Sequence, residues 1–207
     1  MDTHEPYIPD LSIGHLFSRS WALFKENLGL VVGAYVVYLL ITGLLSDPDL
    51  DGDRSNLLGL VGFVVTGPLT AGLYALMLHV QRGEPAAFAD LFSGFQEFGR
   101  AFGVYVLYSF AVVIGLILLI VPGVILAIGL WPALYLVMDN DFGVIDTLKE
   151  AWAMTDGYRL QLFGLGFVLL LLSLAGMLVF FVGFFFAGAL ATLIAAAAYE
   201  ELALADV

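Results

Sequence analysis

Cysteine is absent, lysine and arginine together number seven in 207 residues, and charged side chains of all kinds make up only 13%. Without cysteine there are no disulfides and no thiolate chemistry. Seven basic residues scattered along a chain of formal net charge -12 assemble no phosphate-binding patch, so nucleic acid is excluded as a partner. Histidine is scarce too: His4 and His15 precede the first apolar run, and His79 sits near the end of the second. Neither a nucleophile with its base, nor paired carboxylates, nor metal-spaced histidines come together in one part of the chain. The expectation is a protein that is not an enzyme and carries no cofactor. The first twelve residues, MDTHEPYIPDLS, lack the basic region and short apolar core of a signal peptide.

What the chain has in excess is apolar surface. With 61% hydrophobic residues and a mean hydropathy of +1.00, it carries more than a soluble domain of this length buries, which marks an integral membrane protein. The apolar runs are 28–45, 57–80, 101–138 and 160–199. A bilayer core takes about 20 helical residues, so the last two runs, near 40 residues each, are hairpins. In the third, LIVPGVIL marks the turn with Pro122 and Gly123. In the fourth, the turn falls near Gly176 to Gly183, where no polar residue marks a surface and the hairpin only just reaches the far face. Pro68 and Pro132 interrupt the second and fourth spans. The fold class expected is all-α integral membrane, with six transmembrane helices in three hairpins forming one polytopic domain over 1–207.

Six of the seven basic residues, Arg19, Lys25, Arg82, Arg100, Lys149 and Arg159, flank one set of span ends, and only Arg54 flanks the other. The positive-inside rule then places both termini in the cytoplasm, with the protein in the cytoplasmic (inner) membrane. Before each hairpin stands an amphipathic segment, giving three parallel repeat units at about 11–80, 86–138 and 142–199. LSIGHLFSRSWALFKEN gathers Phe17, Trp21 and Phe24 on one face. AAFADLFSGFQEFGRAF, read as a single helix over 86–102, gathers Phe88, Phe92, Phe95 and Phe98, with Phe92 at the centre of the buried face. FGVIDTLKEAWAMTDGYR contributes Trp152. These eight rings are the expected lipid-facing or interface-facing side chains, because connectors this short build no separate core.

The stretch LIVPGVILAIGLWPALYLVMDNDFGVIDTLKEAWAMTDGYRLQLFG resembles the YciC-like bacterial membrane proteins, whose relatives include the membrane domain attached to some glycerophosphodiester phosphodiesterases. Val121, Pro122 and Gly123, then Asp139, then Trp152 and Arg159 carry the resemblance. It spans roughly residues 60–165 and implies a helical membrane fold without an assigned activity.

Two functional readings stay open. The first is a structural, regulatory or lipid-interacting protein, with membrane lipids and either a homo-oligomer or a membrane protein as partner. The second is a channel or transporter for a small solute, favoured by the prolines interrupting spans at matching repeat positions. The lack of Asp, Glu, Lys and Arg inside the apolar spans weighs against an active pump. One further motif is DPDLDGDRSNLL, where Asp47, Asp49, Asp51 and Gly52 have calcium-loop spacing and Asp53 and Ser55 occupy further ligand positions. Leu58 stands where the bidentate glutamate belongs, so calcium at the Asp47–Asp53 loop is disfavoured against an acidic, solvated turn. The topology has a direct check in a chain free of cysteine. Single cysteines at Ser55 and Ser93 are expected to react with membrane-impermeant maleimide from opposite faces, and labelling of both from one face would refute the six-span arrangement.

Overall fold

In lipid no water satisfies backbone N–H and C=O groups, so a chain this apolar folds into helices that bond internally. The computed structural model describes residues 7–45, 53–178 and 182–205, and the side chains of 53–58 and 182 are outside that description. In order come α1 (Ile13–Glu26), α2 (Leu28–Leu45), α3 (Asp53–Arg82), a 3-10 helix (Phe88–Phe95), α4 (Phe98–Leu118), α5 (Ile120–Leu130), α6 (Ala133–Asp139), α7 (Val144–Met154), α8 (Arg159–Leu178) and α9 (Val182–Ala205). Among the described residues there is no strand. Six stretches are long and apolar enough to cross a membrane: α2, the 59–82 part of α3, α4, α5 with α6, α8 and the 183–205 part of α9. The protein is an all-α, multi-pass membrane protein. The acidic loop considered for calcium, Asp47 to Asp53, lies outside the described residues but for the backbone of Asp53.

The six spans form two tiers. Within an 18-residue apolar stretch of each span, buried residues make up 61%, 50% and 56% in α3, α5–α6 and α9, against 11%, 17% and 11% in α2, α4 and α8. The second helix of each hairpin is therefore inside and the first outside. Small side chains make this packing close: Ala189, Ala196, Ala197 and Ala198 of α9 and Ala71 of α3 are fully buried. In lipid, helices associate through such contacts because apolar burial alone favours no partner over the acyl chains. The Tyr38 hydroxyl on α2 meets the Thr70 hydroxyl on α3 at 3.2 Å, pinning an outer helix to an inner one.

Several local expectations need correction. Residues 86–102 are not one helix. The Asp90 carboxylate accepts from the Ala87 backbone N–H at 2.8 Å, a 3-10 turn follows, and the chain straightens only at Phe98, which opens the span α4. Leu91, not Phe92, lies at the centre of the buried face: Leu91 is 0% exposed and Phe92 48%. A 3-10 helix advances three residues per turn rather than 3.6, so an angular sum at 100° per residue misplaces the face.

Pro68 does not break α3, which runs unbroken from Asp53 to Arg82. The missing proline N–H frees the carbonyl of Val64. Nearby, the Thr66 and Thr70 hydroxyls donate to the carbonyls of Gly62 and Thr66, each at 2.7 Å. In the third apolar run the turn falls at Leu119, which is extended (φ -164, ψ 147), and Pro122 stands inside the first turn of α5, where its absent N–H has no intrahelical partner to lose. Gly123 serves packing rather than the turn: a Cβ there would lie 2.5 Å from the Leu116 side chain of α4. Helix continuity does lapse at Trp131 and Pro132, between α5 and α6.

Two turns need a left-handed residue. Gly83 (φ 69) closes α3, its N–H bonding to the Val80 carbonyl at 3.2 Å and that of Glu84 to His79 at 2.8 Å, the paired bonds of a Schellman cap. Gly157 (φ 80) turns α7 into α8.

The 3-10 helix lies backbone to backbone on α3. A Cβ at Gly94 would stand 2.0 Å from the Pro68 carbonyl oxygen, and one at Gly72 2.1 Å from that of Leu91. Gly94→Ala is expected to cost at least about 2 kcal/mol through overpacking. Gly164→Ala on α8, where nothing lies within 4 Å, is expected to be neutral or stabilising by up to about 1 kcal/mol. Thermal unfolding of both variants in detergent reads the difference.

Candidate functional site

Among the described residues, the charged side chains gather at the end of the bundle where α3, α6 and α9 finish. Arg82, at the last residue of α3, forks onto Asp139 of α6, with Nη1 2.6 Å from Oδ1 and Nη2 3.0 Å from Oδ2. Its Nε donates to Glu200 of α9 at 2.7 Å, and the Tyr199 hydroxyl donates to Asp139 Oδ2 at 2.9 Å. One guanidinium thus ties together the ends of the three inner helices, with the bidentate geometry that suits arginine to carboxylate. Directly associated with this clamp is an aromatic column with one ring from each inner helix. Tyr74 and Tyr135 stack at 4.0 Å between centroids with planes 4° apart, and Tyr135 and Tyr199 at 5.0 Å and 17°. Trp131 meets Tyr135 edge-on at 5.5 Å. Tyr135 is fully buried. Its hydroxyl and the Trp131 indole Nε1 have no hydrogen-bond partner among the described residues.

A second node binds α1 to the same end. Glu201, 4% exposed, accepts from the Tyr7 hydroxyl at 2.5 Å, the Asp10 backbone N–H at 3.2 Å and Arg19 Nη1 at 3.4 Å, with His15 Nε2 at 3.6 Å. The hydrogen bond to Glu201, burial and the carboxylate charge raise the Tyr7 phenol above its ordinary pKa. Hydrogen bonds from Ser12 hold the Asp10 carboxyl below its ordinary value. Beneath this node Gln81 Nε2 donates to Ser20 Oγ at 3.0 Å and to the Leu193 carbonyl at 2.8 Å, a buried bridge between α1, α3 and α9. Arg100 is likewise engaged, with Glu97 at 2.9 Å, the Asn140 carbonyl at 2.7 Å and Asp141 at 3.2 Å.

The third cluster lies where α7 meets α5 and α8. Trp152 lies against Gly129 of α5, where a Cβ would come within 2.5 Å of the indole. Arg159 lies over the same indole, its guanidinium carbon 3.8 Å from the ring centroid, and its Nη2 donates to the Trp152 carbonyl at 3.2 Å. The buried Thr155 hydroxyl, 3.1 Å from the Gly129 carbonyl, completes the attachment of α7 to α5. Three apolar clefts surround this cluster. One of about 260 Å³ is lined by Ile128, Trp131, Leu165 and Ala195, among others. One of about 450 Å³ runs between α5 and α8 past Arg159. One of about 390 Å³ lies between Leu126, Leu130 and Trp152, with Lys149 on its lining.

The rings singled out from the sequence are dispersed rather than joined in one surface site. On α1, Phe17 and Trp21 are exposed and stacked at 5.9 Å. Phe24, expected to face lipid, is instead 2% exposed, because the Leu16, Ser20 and Phe24 edge of the helix is the one packed on the bundle. Phe88 seats its ring against Gly33 of α2. Phe92 and Phe95 are exposed, and Phe98 stacks on Phe102 within α4 at 5.7 Å. The sequence reading missed the partnership of Arg82, Asp139 and Glu200. The signal for it was charge at the end of each inner span, Arg82, Asp139 and the adjacent Glu200 and Glu201, a pattern that has meaning only once the three helices are side by side.

Arg82→Gln leaves two partly buried carboxylates unpaired and is expected to cost about 2 to 3 kcal/mol. Lys149→Gln breaks only an exposed pair with Asp146 at 3.4 Å and is expected to cost less than about 0.5 kcal/mol. Thermal unfolding in detergent micelles ranks the two. Comparison of the chain with protein-family models, with curated proteins and with solved structures gave no match.

Proposed function

We propose that this protein is a non-enzymatic component of the cytoplasmic membrane, with both termini in the cytoplasm and a structural, lipid-interacting or regulatory scaffold role. Its partners are membrane lipids, with a second copy or another membrane protein on its outer helices. The observation that carries this reading is the closed axis. The three inner helices meet through the Tyr74, Tyr135 and Tyr199 stack, and the ions above it are spent on one another. The clefts around α5 open on its outer flanks, toward lipid, and are lined almost wholly by apolar side chains. The order of elements, with a short segment before each hairpin, supports the three parallel repeats. Kinship with the YciC-like proteins belongs to the same proposal and adds a membrane fold, not an activity.

A solute pathway is the second reading. It is favoured by the lapse at Trp131 and Pro132 in an inner span and by the unpaired Trp131 Nε1 and Tyr135 hydroxyl beside it, since broken helices with free polar groups at membrane depth form the sites of transporters. Purified protein in liposomes decides between the two. The expected result is no flux of alkali cations, chloride or glycerol above protein-free liposomes. A saturable flux that Tyr135→Phe alters would establish the second reading in place of the first.

A further inference from the structure

We propose that the groove between α5 and α8 binds a glycerophospholipid, its phosphate held at Arg159 and an acyl chain lying along Val124, Ile125 and Phe163. The inference rests on the lipid-interacting reading above and names the ligand and the place. The groove has a volume of about 450 Å³, and Arg159 is the one charged side chain on its lining. Its walls are open to the surroundings: Ile120 is 73% exposed, Leu160 83% and Phe163 50%. An apolar groove with a single cation on its lining matches a ligand that joins an anionic oxygen cluster to a hydrocarbon chain.

Arg159 differs from three other arginines in how its donors are used. Arg82 is bound by two carboxylates, Arg100 by two carboxylates and two carbonyls, and Arg19 by Glu201 and the Gln81 carbonyl. The Arg159 guanidinium carbon stands 3.8 Å from the Trp152 ring centroid and Nη2 donates to that residue's carbonyl, while Nη1 donates no hydrogen bond among the described residues and Nε, also without an acceptor, is buried. Its ion-pair partner Asp156 is 3.5 Å away and largely exposed, and so readily displaced. The planar cation is thus held in place before any ligand arrives, with donor capacity left over. A phosphodiester supplies the charge and the acceptor oxygens that an arginine fork recognises. Free phosphate would make no use of the apolar walls, so the ligand is the lipid.

The test is native mass spectrometry on the full chain, delipidated in detergent and titrated with dioleoyl phosphatidylglycerol or with dioleoylglycerol, which has the same chains and no phosphate. The wild type is expected to hold the phospholipid about fivefold or more tighter than the diacylglycerol, the scale of one basic side chain meeting one lipid phosphate. Arg159→Gln is expected to remove that preference. Ile125→Trp, filling the groove, is expected to weaken both lipids, and millimolar inorganic phosphate to displace neither. Equal binding of the two lipids by the wild type, full preference in Arg159→Gln, or displacement by inorganic phosphate would overturn the site. Should Arg159→Gln lose its helical circular dichroism, Ile125→Trp decides alone, because it leaves the guanidinium and Trp152 intact; undiminished binding there overturns the site. Failure here is distinguishable from failure of the functional reading, which is judged by solute flux in liposomes and not by lipid retention.

Discussion

A hydrocarbon solvent gives polar groups no partner, and every level of this molecule answers to that constraint. The backbone satisfies it by running as helix through the six spans, with one lapse at Trp131 and Pro132. Charged side chains satisfy it by collecting at the span ends, where Arg82 holds Asp139 and Glu200 and where Glu201 gathers Tyr7, Arg19 and His15. A carboxylate beside the inner helix ends would be costly alone; joined to a guanidinium it becomes the clamp that brings α3, α6 and α9 together. The aromatic column from the same three helices then packs the space that a less bulky residue would leave open.

The same solvent removes the usual reason for helices to associate. Leucine gains nothing by leaving lipid for protein, so what selects one neighbour over another is how closely backbones approach. Glycine carries that role at the contacts that matter here. Gly94 and Gly72 let the 3-10 helix rest on α3, and Gly129 receives the indole of Trp152. Those seats place the short segments before the hairpins against the inner helices, and they define the grooves between. The lipid groove at Arg159 follows from this: Trp152 is positioned by Gly129, and Arg159 is positioned by Trp152.

The helical membrane class and the six spans were legible in the sequence because they depend on the length and polarity of runs, which are local quantities. The interruption at Pro132 was legible too. Pro68 misled, because a proline in a membrane helix is tolerated where neighbouring packing holds the helix around it, and Pro68 is buried within the bundle. Phe92 misled for another reason: one hydrogen bond from Ala87 to Asp90 tightens the chain to three residues per turn and turns Leu91 inward. Phe24 shares an apolar face with Trp21, and periodicity alone does not say which edge of a broad face the bundle takes.

By itself, then, the order of residues determined the solvent in which this protein folds, the number of crossings and the end at which its charges collect, since each of these is a sum over neighbouring residues. Only the tertiary structure decided which helix of each hairpin lies inside, which ions become partners, and which of the four arginines with described side chains keeps an unspent donor. Those are relations between residues as far apart as Arg82 and Glu200, and they come into being only when glycine and alanine allow the helices to touch.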